Sequence, residues 1–137
     1  MIGTWIATAV ATAISFLALD SIWLSLAAGR LYRPRLGSLL LEQFAIAPAA
    51  AFYLIYVAGI LAFAIAPALE TGRWTSALAR GAMLGLVAYA TYDLTNQATL
   101  RGWSATVTIA DLCWGSFVTA TAATIGFTVA RSMLARG

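Results

Sequence analysis

The sequence predicts an all-α membrane protein built as a bundle of four transmembrane helices. Hydrophobic residues make up 62% of the chain and charged residues only 9%, against roughly 25% charged residues in soluble domains. Long apolar runs follow one another, separated by short stretches that carry arginine, and each run exceeds the roughly 20 residues that a transmembrane helix needs. The 137 residues therefore form a single domain, 1–137, whose activity must lie within the bundle or at its rims.

The first predicted span covers residues 2–28. It ends where a glycine and several arginines precede Pro34, which is typical of a helix that leaves the lipid. Arginines and leucines are mixed over residues 30–44. Two interpretations of that stretch stay open: a short amphipathic segment lying in the membrane interface, or a plain loop.

The second predicted span covers residues 44–69. Pro48 lies near its start and Pro67 near its end, where lost helix hydrogen bonds are easily tolerated. A short polar hairpin over residues 70–75 follows and leads into the third span.

The third predicted span covers residues 76–100 and the fourth covers residues 104–130. Gly81 and Gly85 stand four residues apart in the third span, a spacing that lets two helices approach closely. The arginines divide equally between the two sides of such a bundle: Arg30, Arg33, Arg35 and Arg101 on one side, and Arg73, Arg80, Arg131 and Arg136 on the other. Only the three arginines of the first loop favour an orientation, with that loop in the cytoplasm and both termini outside, and insertion in both orientations stays open as an alternative.

The composition excludes several kinds of site. Histidine is absent, which removes Ser-His and Cys-His catalytic pairs, imidazole metal sites and histidine-ligated haem. The single cysteine, Cys113, cannot form an internal disulfide, and its apolar surroundings predict a buried packing residue. No run of basic residues resembles a nucleic-acid-binding arm. We therefore expect no metal, no cofactor and no nucleic-acid partner.

Three aspartates fall inside the predicted spans, where an ionised carboxylate costs at least about 2.5 kcal/mol. Asp20, Asp93 and Asp111 each lie on the order of 12 to 15 Å from the nearest arginine-bearing loop, counting 1.5 Å per residue. All three count back to the same side of the membrane. The predicted topology therefore places them in one layer of the bundle, and they are the candidate catalytic residues.

Helical spacing supplies these acids with neighbours. Tyr89, Asn96 and Gln97 stand three or four residues from Asp93 and are predicted to share its face. A tryptophan follows each of the other two aspartates by three residues: Trp23 in the first span and Trp114 in the fourth. These side chains are candidates for binding a substrate.

Two interpretations of the polar layer are open. The functional one is a buried pocket with carboxylates and amides at its floor and aromatic rings in its walls. The structural one is interhelical hydrogen bonding, which would account for one or two acids more readily than for three. Burial and mutual repulsion both disfavour the charged form, so at least one of the acids is expected to carry a proton.

Four segments resemble a bacterial membrane family catalogued as domain of unknown function 2177. They are Leu19–Leu24, Pro48–Tyr56, Tyr89–Leu100, with its Tyr-Asp-Leu-Thr-Asn stretch, and Val107–Gly115. The resemblance implies a multi-pass protein of the bacterial cytoplasmic (inner) membrane and brings no established activity. It also implies that the family motifs include Asp20, Trp23, Tyr92, Asp93, Asn96, Trp103, Asp111 and Trp114, which adds Tyr92 and Trp103 to the candidate substrate-binding residues.

Four hypotheses follow, with membrane lipids and a hydrophobic small molecule as the expected partners. The first is an enzyme that modifies a lipid or isoprenoid-like molecule by acid-base catalysis. The second is a proton-coupled carrier of small cations, which would work as a homodimer using the Gly81 and Gly85 stripe. The third is a non-catalytic lipid-binding accessory subunit. The fourth is an all-oxygen magnesium site, which the depth of the acids below the arginines disfavours.

Overall fold

A computed structural model describes residues 1–137 as four helical rods and no strand. The first rod comprises α1 (Ile2–Ala27), a π-helical turn (Ala28–Tyr32), α2 (Arg33–Leu36) and a 3-10 turn (Gly37–Leu39); the second comprises α3 (Ile46–Ile60), a π-helical turn (Leu61–Ile65) and α4 (Ala66–Thr71); the third is α5 (Trp74–Thr99) and the fourth is α6 (Ala105–Leu134). The predicted all-α architecture is confirmed.

Three rods are long and apolar enough to cross a membrane: Ile2–Leu39, Ile46–Thr71 and Ala105–Leu134. The third rod, α5, is 26 residues long, about 39 Å at 1.5 Å per residue. Its threonines, amides and charged residues make it less apolar than the others. The prediction that α5 also spans the membrane stays a prediction.

The first rod is longer than predicted, because the helix passes residue 28 and continues to Leu39. Pro34 has no N–H to offer the carbonyl of Arg30 four residues earlier. Arg35 replaces it, since its guanidinium donates to the carbonyls of Arg30 at 3.2 Å and Leu31 at 3.4 Å. The sequence left residues 30–44 open as an interfacial segment or a loop. The structure shows that helix continues through Leu39 and that residues 40–45 are irregular.

The second rod lies two residues further along the chain than predicted, and Gly72 follows its last residue, Thr71. This glycine has a left-handed backbone conformation, with φ of 67°, as is common just beyond a helix. Arg131 at the end of α6 donates to the Gly72 carbonyl at 3.3 Å. The turn between α4 and α5 is thereby tied to the end of the fourth rod.

The most extensive helix contact joins α5 to α6. A Cβ atom at Gly81 would lie 2.8 Å from the Cβ of Ala123, and one at Gly85 would overlap the carbonyl of Gly115. The close helix approach predicted from the glycine spacing is confirmed, and the partner helix belongs to the same chain. The glycine stripe is therefore occupied and does not offer the dimer contact that the carrier hypothesis assigned to it.

Fully buried apolar side chains fill the centre of the bundle, among them Phe16, Ile60 and Val118. Large apolar side chains also cover the outside: Leu54 is 76% exposed and Ile109 is 65% exposed, as a lipid environment requires. Cys113 is exposed, so the prediction of a buried cysteine was wrong. An apolar run does not distinguish the core-facing side of a membrane helix from its outer side.

Candidate functional site

The hairpin of α5 and α6 sets two of the three aspartates at the same level. Asp93 precedes the last residue of α5 by six positions and Asp111 follows the first residue of α6 by six, about 9 Å of helix rise in each case. Asp93 is 0% exposed and Asp111 is 7% exposed. The two carboxyl groups lie close enough to interact with each other.

Asp93 is the one side chain in the chain with buried polar atoms that lack a partner. Neither of its carboxyl oxygens receives a hydrogen bond from a protein donor. A buried oxygen without a donor costs about 1 to 3 kcal/mol. A proton held between Asp93 and Asp111 would supply both carboxyl groups with a hydrogen bond.

Asp111 also accepts a hydrogen bond from the Tyr32 hydroxyl. Tyr32 closes the π-helical turn of the first rod, and π-helical turns frequently mark functional sites. The indole N–H of Trp23 donates to the same hydroxyl at 2.8 Å. The Tyr32 hydroxyl therefore accepts a hydrogen bond from the Trp23 indole on the first rod and donates one to the Asp111 carboxyl on the fourth rod.

Asp20 has two donors of its own. The Tyr53 hydroxyl, from α3, donates to it at 2.5 Å, and the Trp114 indole, from α6, donates at 3.2 Å. Trp114 also stacks on Trp23, with the ring centroids 4.8 Å apart and the planes 7° from parallel. The tryptophan of the Asp-x-x-Trp repeat in α6 therefore binds the aspartate of the repeat in α1.

We call this set of residues the aspartate network: Asp20, Trp23, Tyr32, Tyr53, Asp93, Asp111 and Trp114. Sequence reasoning missed Tyr32 and Tyr53. Tyr53 lies in a segment quoted for the family resemblance, and its phenol in a predicted span was the available signal. Tyr32 lay beyond the predicted end of the first span, so it was assigned to the segment outside the lipid.

A cavity of about 970 Å³ opens beside the network, between the first rod, residues 40–45 and the α5–α6 hairpin. We call it the rim cavity. Twelve of its eighteen lining residues are hydrophobic. Tyr32 and Asp111 belong both to its wall and to the aspartate network, while Tyr92 and Trp103 line it from the hairpin. Arg33, Glu42 and Gln43 supply its remaining strongly polar side chains.

The protein-family model described as "Predicted membrane protein (DUF2177)" matches residues 5–128. The chain belongs to this family. No curated protein and no solved structure matches it. Membership of this family makes the chain an integral membrane protein and brings no activity with it.

The other predicted site residues of this DUF2177 protein lie around the network. Tyr89 is half-buried, and its ring packs over Gly115. Tyr92 and Trp103 make an edge contact with centroids 5.8 Å apart. Asn96 is half-buried without a hydrogen bond to the network acids.

Gln97 is exposed. It stands four residues from Asp93, as the sequence argument used, but its side chain is not part of the buried polar layer. The chain has no group of three or more cysteine, aspartate or glutamate side chains that could hold a metal ion.

Proposed function

We propose that this protein binds an amphiphilic, lipid-like molecule in the rim cavity and exchanges a proton with it through Asp111. This amounts to acid-base chemistry on a lipid or isoprenoid-like molecule in the bacterial cytoplasmic membrane. One observation carries the proposal: Asp111 lines the cavity and also reaches Asp93, a fully buried carboxyl without any donor.

The pair of acids supports proton exchange through simple electrostatics. Two ionised carboxylates in contact away from water repel each other strongly, so such pairs hold one proton between them. Asp111 would then give that proton to an occupant of the cavity and take a proton back from it, so that the pair holds one proton before and after the exchange. The Tyr32 hydroxyl, which donates to Asp111, would hold the carboxyl in place during the exchange.

The size and lining of the cavity support a lipid-like occupant. Its volume of about 970 Å³ lies at the upper end of the roughly 300 to 1,000 Å³ typical of ligand sites. Leucines and a phenylalanine dominate the wall formed by residues 36–44. A molecule with a long apolar part would bury that part here and place a polar group beside Asp111.

The aromatic rings argue against the cation carrier as the leading hypothesis. Trp23 and Trp114 stack on each other and do not line the rim cavity, so they do not form an open box for a cation. Both indole N–H groups are already used, by Tyr32 and Asp20. A binding site with proton exchange accounts for these contacts better.

The test uses a matched pair of variants in the first rod. Leu24 lines the cavity, whereas Ile22, two residues earlier, is 57% exposed and does not. We expect Leu24→Trp to fill part of the cavity and to reduce the amount of amphiphile that co-purifies in native mass spectrometry. Ile22→Trp should leave that amount unchanged. Equal occupancy in the two variants, or no bound molecule in the native protein, would overturn the binding proposal.

Asp111→Asn separates binding from chemistry. The amide oxygen can still accept from Tyr32 and the amide N–H can donate to Asp93, so the fold is preserved while the exchangeable proton is lost. We expect cells expressing this variant to lose the change in membrane lipids that the native protein produces, with the ligand still bound. Identical lipid profiles with the ligand bound would refute acid-base catalysis and leave the accessory lipid-binding role.

A further inference from the structure

The rim cavity carries two opposite charges that do not neutralise each other. Arg33 begins α2, and Glu42 lies in the irregular stretch between the first two rods. Both side chains are exposed and both line the cavity, and the chain forms no salt bridge within 4.0 Å. Arg35, in contrast, is engaged by two backbone carbonyls. One cation and one anion are therefore left free at the same opening.

Each free charge selects its own partner chemistry. A guanidinium pairs with phosphate through parallel N–H donors, which makes Arg33 a match for a phosphate group. A carboxylate accepts from an ammonium group, which Glu42 would do at the same rim. A headgroup that carries both a phosphate and an ammonium would satisfy both charges. The apolar wall, which includes Leu36, Leu40 and Phe44, requires that this headgroup be attached to hydrocarbon.

On the basis of the proposed function, we infer that the occupant of the rim cavity is a zwitterionic phospholipid, with its phosphate at Arg33 and its primary ammonium at Glu42. Asp111 lies about 9 Å along α6 from the start of that helix. Asp111 lines the same cavity as Arg33 and Glu42, so a lipid bound there would lie beside the carboxyl to which the proposed function assigns proton exchange.

The inference is tested by titrating the purified full-length protein in detergent micelles and following tryptophan fluorescence, because Trp103 lines the cavity. The probes are phosphatidylethanolamine, phosphatidic acid, diacylglycerol and free phosphoethanolamine. We expect phosphatidylethanolamine to bind most tightly, since only it supplies phosphate, ammonium and hydrocarbon together. Free phosphoethanolamine distinguishes a soluble phosphate compound from a lipid headgroup, and binding as tight as that of the lipid would overturn the inference.

Single neutralising variants assign the two charges. We expect Arg33→Gln to weaken binding of phosphatidylethanolamine and of phosphatidic acid by about tenfold, as for one lost charge-assisted hydrogen bond. Glu42→Gln should weaken binding of phosphatidylethanolamine alone. Arg30→Gln and Glu70→Gln change exposed residues that do not line the cavity, and both should bind like the native protein.

The outcomes separate this inference from the proposed function. If phosphatidic acid binds as tightly as phosphatidylethanolamine and Glu42→Gln has no effect, the zwitterionic headgroup is refuted. The proposed function still stands in that case provided that Leu24→Trp weakens binding of diacylglycerol. If Leu24→Trp leaves the binding of every probe unchanged, the rim cavity is not the binding site and both proposals fail.

Discussion

Removing the Tyr32 hydroxyl should destabilise the bundle more than any other single phenol deletion in the chain. In Tyr32→Phe, the Trp23 indole loses its acceptor at 2.8 Å and Asp111 loses its donor. A hydrogen bond between neutral groups within a membrane protein contributes about 0.6 kcal/mol on average, and one to a carboxylate contributes about 1.5 to 3 kcal/mol. The expected loss in free energy of unfolding is therefore about 2 to 3.5 kcal/mol.

Tyr56→Phe is the matched control. The Tyr56 hydroxyl is also buried within the bundle, but it makes one hydrogen bond, at 2.7 Å, to the neutral hydroxyl of Thr119. Its removal should cost only about 0.6 kcal/mol. Unfolding by sodium dodecyl sulfate in mixed micelles, followed by helical circular dichroism, would measure both variants. If the two phenol deletions cost the same, Tyr32 does not link Trp23 to Asp111 and the aspartate network is misassigned.

Two further predictions concern packing. Gly85→Ala should lower the free energy of unfolding by about 1 to 3 kcal/mol, because the added methyl group would overpack against the backbone of α6. Gly37→Ala is the control and should not lower it, since a Cβ atom at Gly37 meets no atom within 4 Å. An equal effect of the two substitutions in the same unfolding assay would refute the close contact. The stacked indoles of Trp23 and Trp114 should give a coupled pair of circular dichroism bands. Trp23→Phe or Trp114→Phe should remove these bands. Trp74→Phe, which changes a residue that is 55% exposed, should retain them. Bands that survive both of the first two substitutions would show that the rings do not stack.

The common level of the acids was predictable because it depends only on chain length. A short loop joins α5 to α6, so residues equally far from that loop must lie at equal depth in an antiparallel hairpin. Asp93 and Asp111 satisfy this condition by counting alone. The fold class was predictable for a similar reason, since backbone groups in lipid can be satisfied within each helix.

The partners of each acid were not predictable, because they depend on how each helix is rotated about its axis. In a soluble helix, an apolar stripe reveals that rotation. Here the core-facing and outward-facing sides are both apolar, which is why Cys113 was predicted to be buried although it is exposed. The π-helical turn that ends at Tyr32 shifts the rotation again. A proline follows each π-helical turn of the chain by two residues, Pro34 after Tyr32 and Pro67 after Ile65, but in the sequence alone both prolines indicate only helix ends.

The hydrogen bonds indicate which interpretation of the polar layer, interhelical hydrogen bonding or a functional pocket, fits each acid. Asp20 receives a hydrogen bond from α3 and another from α6, so its carboxylate joins three rods and has the connections expected of interhelical hydrogen bonding. Asp93 receives none, and Asp111 receives one while facing the cavity. A carboxyl that served only to hold helices together would accept hydrogen bonds from neighbouring helices. Asp93 accepts none, although it is the most buried of the three acids. This difference makes Asp93 and Asp111 the pair on which chemistry should be tested, with Asp20 as the acid whose replacement should affect stability first.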